Sequence, residues 1–321
     1  MANYHSDEWI MERVREHYEE ALTLFPENRI VGVFLQGSQN YGLDYEGSDI
    51  DTKCIVVPSW EDICFNRKAI STTHVRDNNE HIDLKDIRLM FQTFRKQNLN
   101  FIEILFTKYK VINPMYEEMW EDLIMFNEKI ACYDPVGAVK VMKGIALEKY
   151  HAMEHRYPAK AEIVDAWGYD SKQLHHLIRV KEYIHRYIEG DRYADCLISN
   201  IGEELKEIKM ISPTVPPKYD LLTARVMAEE ALADIVTTAD NFAAQASQAL
   251  LTKDAFVDQL LDKTQEKIMR AAIMSELLAV CPECRTPLVW RANWDNPMYE
   301  CPNCLATWEK ENGKMKRFFF G

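Results

Sequence analysis

Apolar and polar positions along the chain divide it into three stretches of different character. The first, from Asp7 to Phe25, is acidic and amphipathic and predicts a helix that Pro26 stops. The pattern then shortens. Arg29 to Leu35 is nearly all apolar (Ile30, Val31, Val33, Phe34, Leu35) and runs into Gly37, which predicts a strand. A second strand is expected over Asp49 to Val57, ended by Pro58, and a short third over Glu80 to Leu84. Lys85 to Gln97 places Ile87, Met90, Phe91 and Phe94 on one side of a helix, and Asn100 to Phe106 continues the apolar packing.

Pro114 marks a boundary. From there to about Glu276 the chain reads almost wholly as helix, interrupted by the Pro-rich SPTVPPKYD at Ser212. The last stretch, from about Ala279, loses helical period and is rich in Cys, Trp and Pro. The expectation is therefore an α+β chain in three parts: 1–113, a helical 114–276, and a small 277–321.

Composition narrows the class. A chain of 321 residues with 47% hydrophobic and 28% charged content is long enough to bury a sizeable core. No run of 18 apolar residues occurs, so no membrane partner is expected. The N-terminus has neither a basic start nor an apolar stretch of the signal-peptide kind, and a cytoplasmic location is expected. A net charge of −13 weighs against broad, nonspecific nucleic-acid binding while leaving room for a local basic groove. Cys54, Cys64, Cys132 and Cys196 are scattered and read as ordinary reduced thiols.

Chemistry concentrates in FLQGSQNYGLDYEGSDIDTKCIVV, beginning at Phe34. Successive strand residues point to opposite faces, so Asp49 and Asp51 share a face and Ile50 takes the other. Two carboxylates so close repel unless a cation lies between them, and such a pair at a strand edge can chelate Mg²⁺ or Mn²⁺. Gly37 allows backbone N–H groups to approach phosphate oxygens, Ser38 adds a hydroxyl, and Ser48 of the second Gly-Ser pair joins them as a nucleotide contact. A third carboxylate is wanted. Asp83 of EHIDLKDI, with Ile82 and Leu84 on the opposite face, is the candidate, and Asp86 is the runner-up. Asp-x-Asp alone usually means an exposed turn. The ordered set of strand, Gly-Ser, Asp-x-Asp and a later strand Asp is far less common.

That set, GS…GSDID…HID, resembles the DNA polymerase β nucleotidyltransferase superfamily. With HIDLKDIRLMFQTFRKQNLNFIEILF and GYDSKQLHHLIRVKEYI it is similar to the RNA-repair-pathway polymerase β-like branch, over most of the first 240 residues. The resemblance implies a mixed sheet flanked by helices, with metal carboxylates at Asp49, Asp51 and Asp83. It also implies transfer of a nucleoside monophosphate from an NTP with release of pyrophosphate.

GYDSKQLHHLIRVKEYIHRYIEG opens on Asp170-Ser171 and closes on Gly190, good capping chemistry at both ends. At 100° per residue, Lys172, His176, Arg179, Tyr183 and Arg186 form one stripe opposite Leu174, Leu177, Ile178, Ile184 and Ile188. Lys172, His176 and Arg179 are expected to hold a triphosphate or an acceptor phosphate. The plain alternative is a solvated helix face, and His175, off the stripe, reads as structural.

In the tail, Cys281-x₂-Cys284-x₁₆-Cys301-x₂-Cys304 has zinc-ribbon spacing, a closed structural Zn²⁺ site with no open catalytic position. Trp290, Arg291, Trp294 and Trp308 either fill its small core or bind a partner. The function expected is nucleotidyl transfer from an NTP, with an RNA 3′ end (RNA or tRNA repair) as the favoured acceptor. Nucleotidylation of a protein or small molecule is the alternative, and a non-enzymatic zinc-ribbon adaptor the second alternative.

Overall fold

The computed structural model describes residues 3–209, 212–248, 253–277, 279–284, 286–291, 298–311 and 314–318. Helix α1 (Asp7–Leu24) starts where the Ser6 hydroxyl accepts from Trp9 N, at 3.2 Å. Strand β1 (Ile30–Gln36) follows, then a short 3₁₀ turn at Ser38–Asn40 and strand β2 (Asp51–Val56). Helix α2 (Trp60–Cys64) is fixed by a reciprocal Ser59–Asp62 cap. Strands β3 (Ser71–Val75) and β4 (His81–Asp86) form a hairpin. Helices α3 (Ile87–Arg95) and α4 (Leu99–Ile102) and strand β5 (Lys110–Ile112) complete this part.

The five strands lie in the order β3-β4-β2-β1-β5. Only β2 and β4 are parallel, so the sheet is mixed. One face takes Val33, Leu35, Ile50, Cys54, Val56, Ile82 and Leu84 and packs on Ile10, Val14, Tyr18 and Ala21 of α1. The other carries Phe34, Ile55 and Val57 into a second core, where the Phe34 and Trp120 rings lie 4.6 Å apart. Truncating either ring would cost about 3–5 kcal/mol.

That second core runs on through the helices: α5 (Glu117–Met125), α6 (Asn127–Ala131), α7 (Pro135–Met153), α8 (Ala161–Trp167), α9 (Ser171–Glu189), α10 (Tyr193–Leu197), α11 (Gly202–Lys209), α12 (Leu221–Gln248) and α13 (Ala255–Leu277). Helices α7, α9 and α12 pack on one another, and α11 lies against α9. Helix α13 turns back onto α3 and α5, where Arg95 reaches Asp258 at 3.0 Å and Asp262 at 2.5 Å. No described helix is long and apolar enough to cross a membrane.

Strands β6 (Val289–Arg291), β7 (Met298–Glu300), β8 (Thr307–Glu311) and β9 (Lys314–Phe318) make a separate antiparallel sheet in chain order. Its small core holds Cys281, Cys301, Ala306 and Trp308. Trp308 is thus a core residue. Trp294 lies outside the described residues, as do the side chains of Trp290 and Arg291.

Two differences from the sequence reading have local causes. Regular strand geometry begins at Asp51, two residues later than expected, because β1 and β4 both start their pairing with β2 there. Strand β4 extends to Asp86, whose carboxylate then caps α3 by accepting from Arg88 N at 2.9 Å.

Candidate active site

Gly37 ends β1 with φ of 99°, a left-handed conformation that L side chains rarely adopt. The turn it begins is held from within. Asn40 Nδ2 donates to Leu35 O at 3.0 Å, and the buried Gln39 donates to Asp49 O at 2.7 Å. Gln39 thereby fixes the lead-in to β2. Ser48 Oγ accepts from Tyr45 N at 3.0 Å and closes the Tyr45–Ser48 turn.

Asp49, Asp51 and Lys53 then alternate along one side of the chain, all lining a cavity of about 500 Å³. Ile50 between them is fully buried in the opposite core. The parallel register sets His81 opposite Asp51 and Asp83 opposite Lys53. Asp51 Oδ1 accepts from His81 N at 3.1 Å and lies 3.1 Å from His81 Nδ1. Burial, and then the neighbouring Asp49 charge, push the Asp51 carboxyl above its ordinary value. Asp83 has its own partners. Oδ1 accepts from Thr73 Oγ1 at 2.6 Å, and Oδ2 accepts from Gln36 Nε2 at 3.3 Å and from Lys53 Nζ at 3.5 Å. Burial would raise the Asp83 carboxyl, but the Thr73 hydroxyl and the Lys53 charge outweigh it and hold the group low. The alternative third carboxylate, Asp86, is spent elsewhere: it is buried and binds the Arg88 guanidinium through both oxygens, at 2.9 and 2.7 Å.

The other wall of the cavity comes from α7, α9 and α11. Lys149, Lys172, Arg179 and Lys209 face it, with His175 and His176. Of the two readings of α9, a phosphate-holding face and a solvated one, its placement disfavours the second. The stripe opposite its apolar residues looks across the cavity at the carboxylates. Lys172 is exposed, Arg179 and His176 are half-buried, and Tyr183 is buried. Burial drives the His176 imidazole well down, so at neutral pH it is a neutral donor–acceptor and not a cation. Arg186 falls outside the cavity and binds Asp191 at 2.9 Å and Ile198 O at 2.7 Å. His175 sits 2.8 Å from Leu205 O, so its Nδ1 donates there, and burial takes its imidazole down to about 3. The Arg179 guanidinium lies 3.7 Å over the Tyr41 ring, and its buried Nε has no partner.

Four charged groups in the cavity were absent from the sequence reading, Lys149 of α7 among them. Lys53 continues the Asp49–Asp51 alternation and could have been found from it. Glu103 is the one charged residue in NFIEILF; burial pushes its carboxyl up to about 8 despite Arg179 nearby and the Gly37 N–H it accepts from. Lys209, brought down to about 8 by burial and by the Lys172 charge, donates to Leu43 O at 3.2 Å. No local signal marked it, since only the packing of α11 brings it to the cavity.

The carboxylates suit a divalent cation on chemical grounds. Asp49 and Asp51 repel each other on one open side, with no permanent cation of the described residues bonded to either. Asp83 stands apart from them: among the described residues, the one group of three or more His, Cys, Asp or Glu with ligand atoms all within 4.8 Å is Cys281, Cys284, Cys301 and Cys304. In that group the Cys281–Cys304 and Cys284–Cys301 sulfurs are 3.5 and 3.4 Å apart. A zinc tetrahedron with Zn–S of about 2.3 Å has edges of about 3.8 Å, so the cluster is compatible with a zinc ribbon.

No protein-family model matches the chain, and no curated protein matches it. Among solved structures it is similar to a nucleotidyltransferase-like protein from Exiguobacterium sibiricum, at 12% identity and a TM-score of 0.27, over 82% of this chain and 74% of that one. That overlap is too loose to carry over a residue or a role.

Proposed function

We propose that this chain is a metal-dependent nucleotidyltransferase of the polymerase β type, in the RNA-repair-like branch. In this reading 1–113 is the catalytic domain, 114–276 a helical domain that covers it, 277–321 a zinc ribbon, and the location cytoplasmic. The observation that carries it is one cavity in which Gly37, Ser38, Ser48, Asp49, Asp51 and Asp83 face Lys172, His176 and Arg179. In a chain of net charge −13, five of the residues lining that cavity (Lys53, Lys149, Lys172, Arg179 and Lys209) are lysine or arginine. Such a concentration suits a polyanion the size of a triphosphate.

Asp49 and Asp51, joined by Asp83, would hold Mg²⁺ or Mn²⁺. The metal supplies neutralisation of charge developing on the phosphates and a lowered pKa for the attacking hydroxyl. The chain's own groups do the rest. Arg179 Nε and Lys172 bind phosphate oxygens, and neutral His176 donates one hydrogen bond. Leu43, Leu99, Ile145 and Val180 give an apolar wall for the base. The acceptor oxygen bonds to the α-phosphorus as the bond to pyrophosphate breaks.

The favoured acceptor is an RNA 3′ end. A protein or small-molecule hydroxyl is the second reading, and the net charge of −13 favours it. Incubation with Mg²⁺ and each α-labelled NTP, first alone, then with total RNA, then with total protein, separates them by where the label goes. Label on RNA supports the first reading and label on protein the second. No transfer under any condition leaves only the zinc-ribbon adaptor.

A further inference from the structure

Lys53 is the least solvated cation in the cavity. Its side chain is 3% exposed, and its ammonium lies 4.1 Å from the centre of the Phe101 ring. It donates to Gln36 Oε1 and, at 3.5 Å, to Asp83 Oδ2. The strand register makes this pairing unavoidable. Lys53 and Asp83 are direct partners across parallel β2 and β4, on the cavity side of both strands. Asp51, two residues before Lys53, is bonded instead to His81, and the carboxylates do not converge.

A buried ammonium needs a counter-charge, and a buried carboxylate that already has one gains less from a second cation. Lys53 faces the same cavity as Lys172 and Arg179, so an entering polyphosphate offers it an alternative anion. We infer that Lys53 is an exchangeable counter-ion: it holds Asp83 while the cavity lacks nucleotide, and passes to a phosphate oxygen when a triphosphate enters, releasing Asp83 to join Asp49 and Asp51. This rests on the reading of Asp49 and Asp51 as ligands of a divalent cation. It makes triphosphate binding and completion of the carboxylate set one linked event, by differential binding to two states of the same pair.

The test uses the full chain and two probes. The first is Mn²⁺ alone, followed by the loss of its free-ion spin-resonance signal. Wild type and Asp83→Asn should bind Mn²⁺ equally, because Asp83 is not free to contribute. Lys53→Met should bind it about tenfold tighter, and Lys53→Met with Asp83→Asn should return to the wild-type value. A flat cycle overturns the inference. If Asp49→Asn leaves Mn²⁺ binding at the wild-type level, the reading of the carboxylates as a metal site falls instead, and the inference falls with it.

The second probe is inorganic tripolyphosphate in EDTA, titrated by calorimetry, and it decides the matter even if Lys53→Met does not fold. Asp83→Asn should bind tripolyphosphate about tenfold tighter than wild type, since Lys53 is freed for it. Asp49→Asn removes the same charge from the same cavity and should gain no more than about twofold. Equal gains for the two variants, or none for Asp83→Asn, would mean that the Lys53–Asp83 pair is a fixed strut.

Discussion

Two ionic clusters flank β2 and the start of β4, one on each side, and they are balanced in opposite ways. Away from the cavity, Glu80 accepts from Arg13 at 2.6 Å, from Arg76 at 2.9 Å and from His17 at 2.9 Å. Fully buried His17 meets Thr52 with its other nitrogen at 2.9 Å, and Arg76 also binds Glu20 at 2.6 Å. Burial alone would raise the Glu80 carboxyl, yet these donors bring it down to about 2. One residue along each strand, on the cavity face, Asp51 has only His81 and a like-charged neighbour, and its carboxyl is pushed up. A charge cluster that satisfies itself is a structural part. One that leaves repulsion standing is completed by something it binds.

The four cysteines extend the comparison, since as zinc ligands they would be four like-charged thiolates gathered within 4.8 Å of one another. Protein purified without chelator should carry one tightly held zinc per chain by elemental analysis. Cys281→Ser or Cys301→Ser should lose it and loosen the segment after about Ala279, while the rest keeps its melting temperature. Zinc-free protein with an intact tail would remove this cluster from the second class.

Next in size is the cavity itself. Asp49→Ala and Asp83→Ala should each lower nucleotidyl transfer by more than about 10³-fold with the fold retained. Asp86→Ala should instead cost stability, through loss of the α3 cap and the Arg88 pair, and leave transfer nearly intact. Equal turnover by Asp49→Ala would sink the metal reading.

Glu80→Gln probes the balanced cluster and should cost about 3–5 kcal/mol in urea denaturation, because two arginines lose their buried partner. The pH dependence follows from sign. A carboxyl held at about 2, against an ordinary 4.5, contributes stability that is complete above the ordinary value and lost as pH falls towards 2. Wild type should show that loss, roughly 3 kcal/mol, and Glu80→Gln should not.

Across the cavity, Lys172→Ala and Arg179→Ala should each lower kcat/KM about 10- to 150-fold, as expected for a charge-assisted phosphate contact of roughly 1.5–3 kcal/mol. Arg179→Lys should recover only part, lacking the planar fork over Tyr41. Near-normal kinetics for both alanine variants would place the phosphate contacts elsewhere. The smallest effect carries the sharpest sign. Asp51→Asn should stabilise the protein at neutral pH by under about 1 kcal/mol, since the raised carboxyl opposes folding when ionised. The gain should vanish below the ordinary value near 3.8.

Much of this arrangement was legible before the fold was. Alternation alone placed Asp49, Asp51 and Ile50 on their faces, and apolar runs located β1, β2 and β4. Strand β3 escaped because STTHV is an exposed edge whose partner, not its composition, makes it a strand. Strand β5 is only Lys110–Ile112, too short for a period to register. The polar stripe of α9 was found and a phosphate role expected of it, but a solvated face stayed open as the alternative, because whether a polar helix face meets water or a cavity depends on the long-range packing of α9 opposite the sheet. Lys209 and Glu103 were invisible for the same reason.

The return of α13 to the first part of the chain has a consequence for biosynthesis. Asn28 Nδ2 donates to Ser275 Oγ at 2.9 Å, across 247 residues, and Trp60 N donates to Glu276 Oε2 at 2.9 Å, across 216. The apolar side of α3 is closed partly by this late helix. At ~5–20 residues per second of translation, the sheet and its carboxylates leave the ribosome roughly 8–33 s before the segment that seals them is complete. During that interval Met90, Phe91 and Phe94 belong to an unfinished core, so the nascent chain passes through a sticky, chaperone-dependent stage. Release of that dependence should coincide with the emergence of residues 255–277 and not with completion of the sheet.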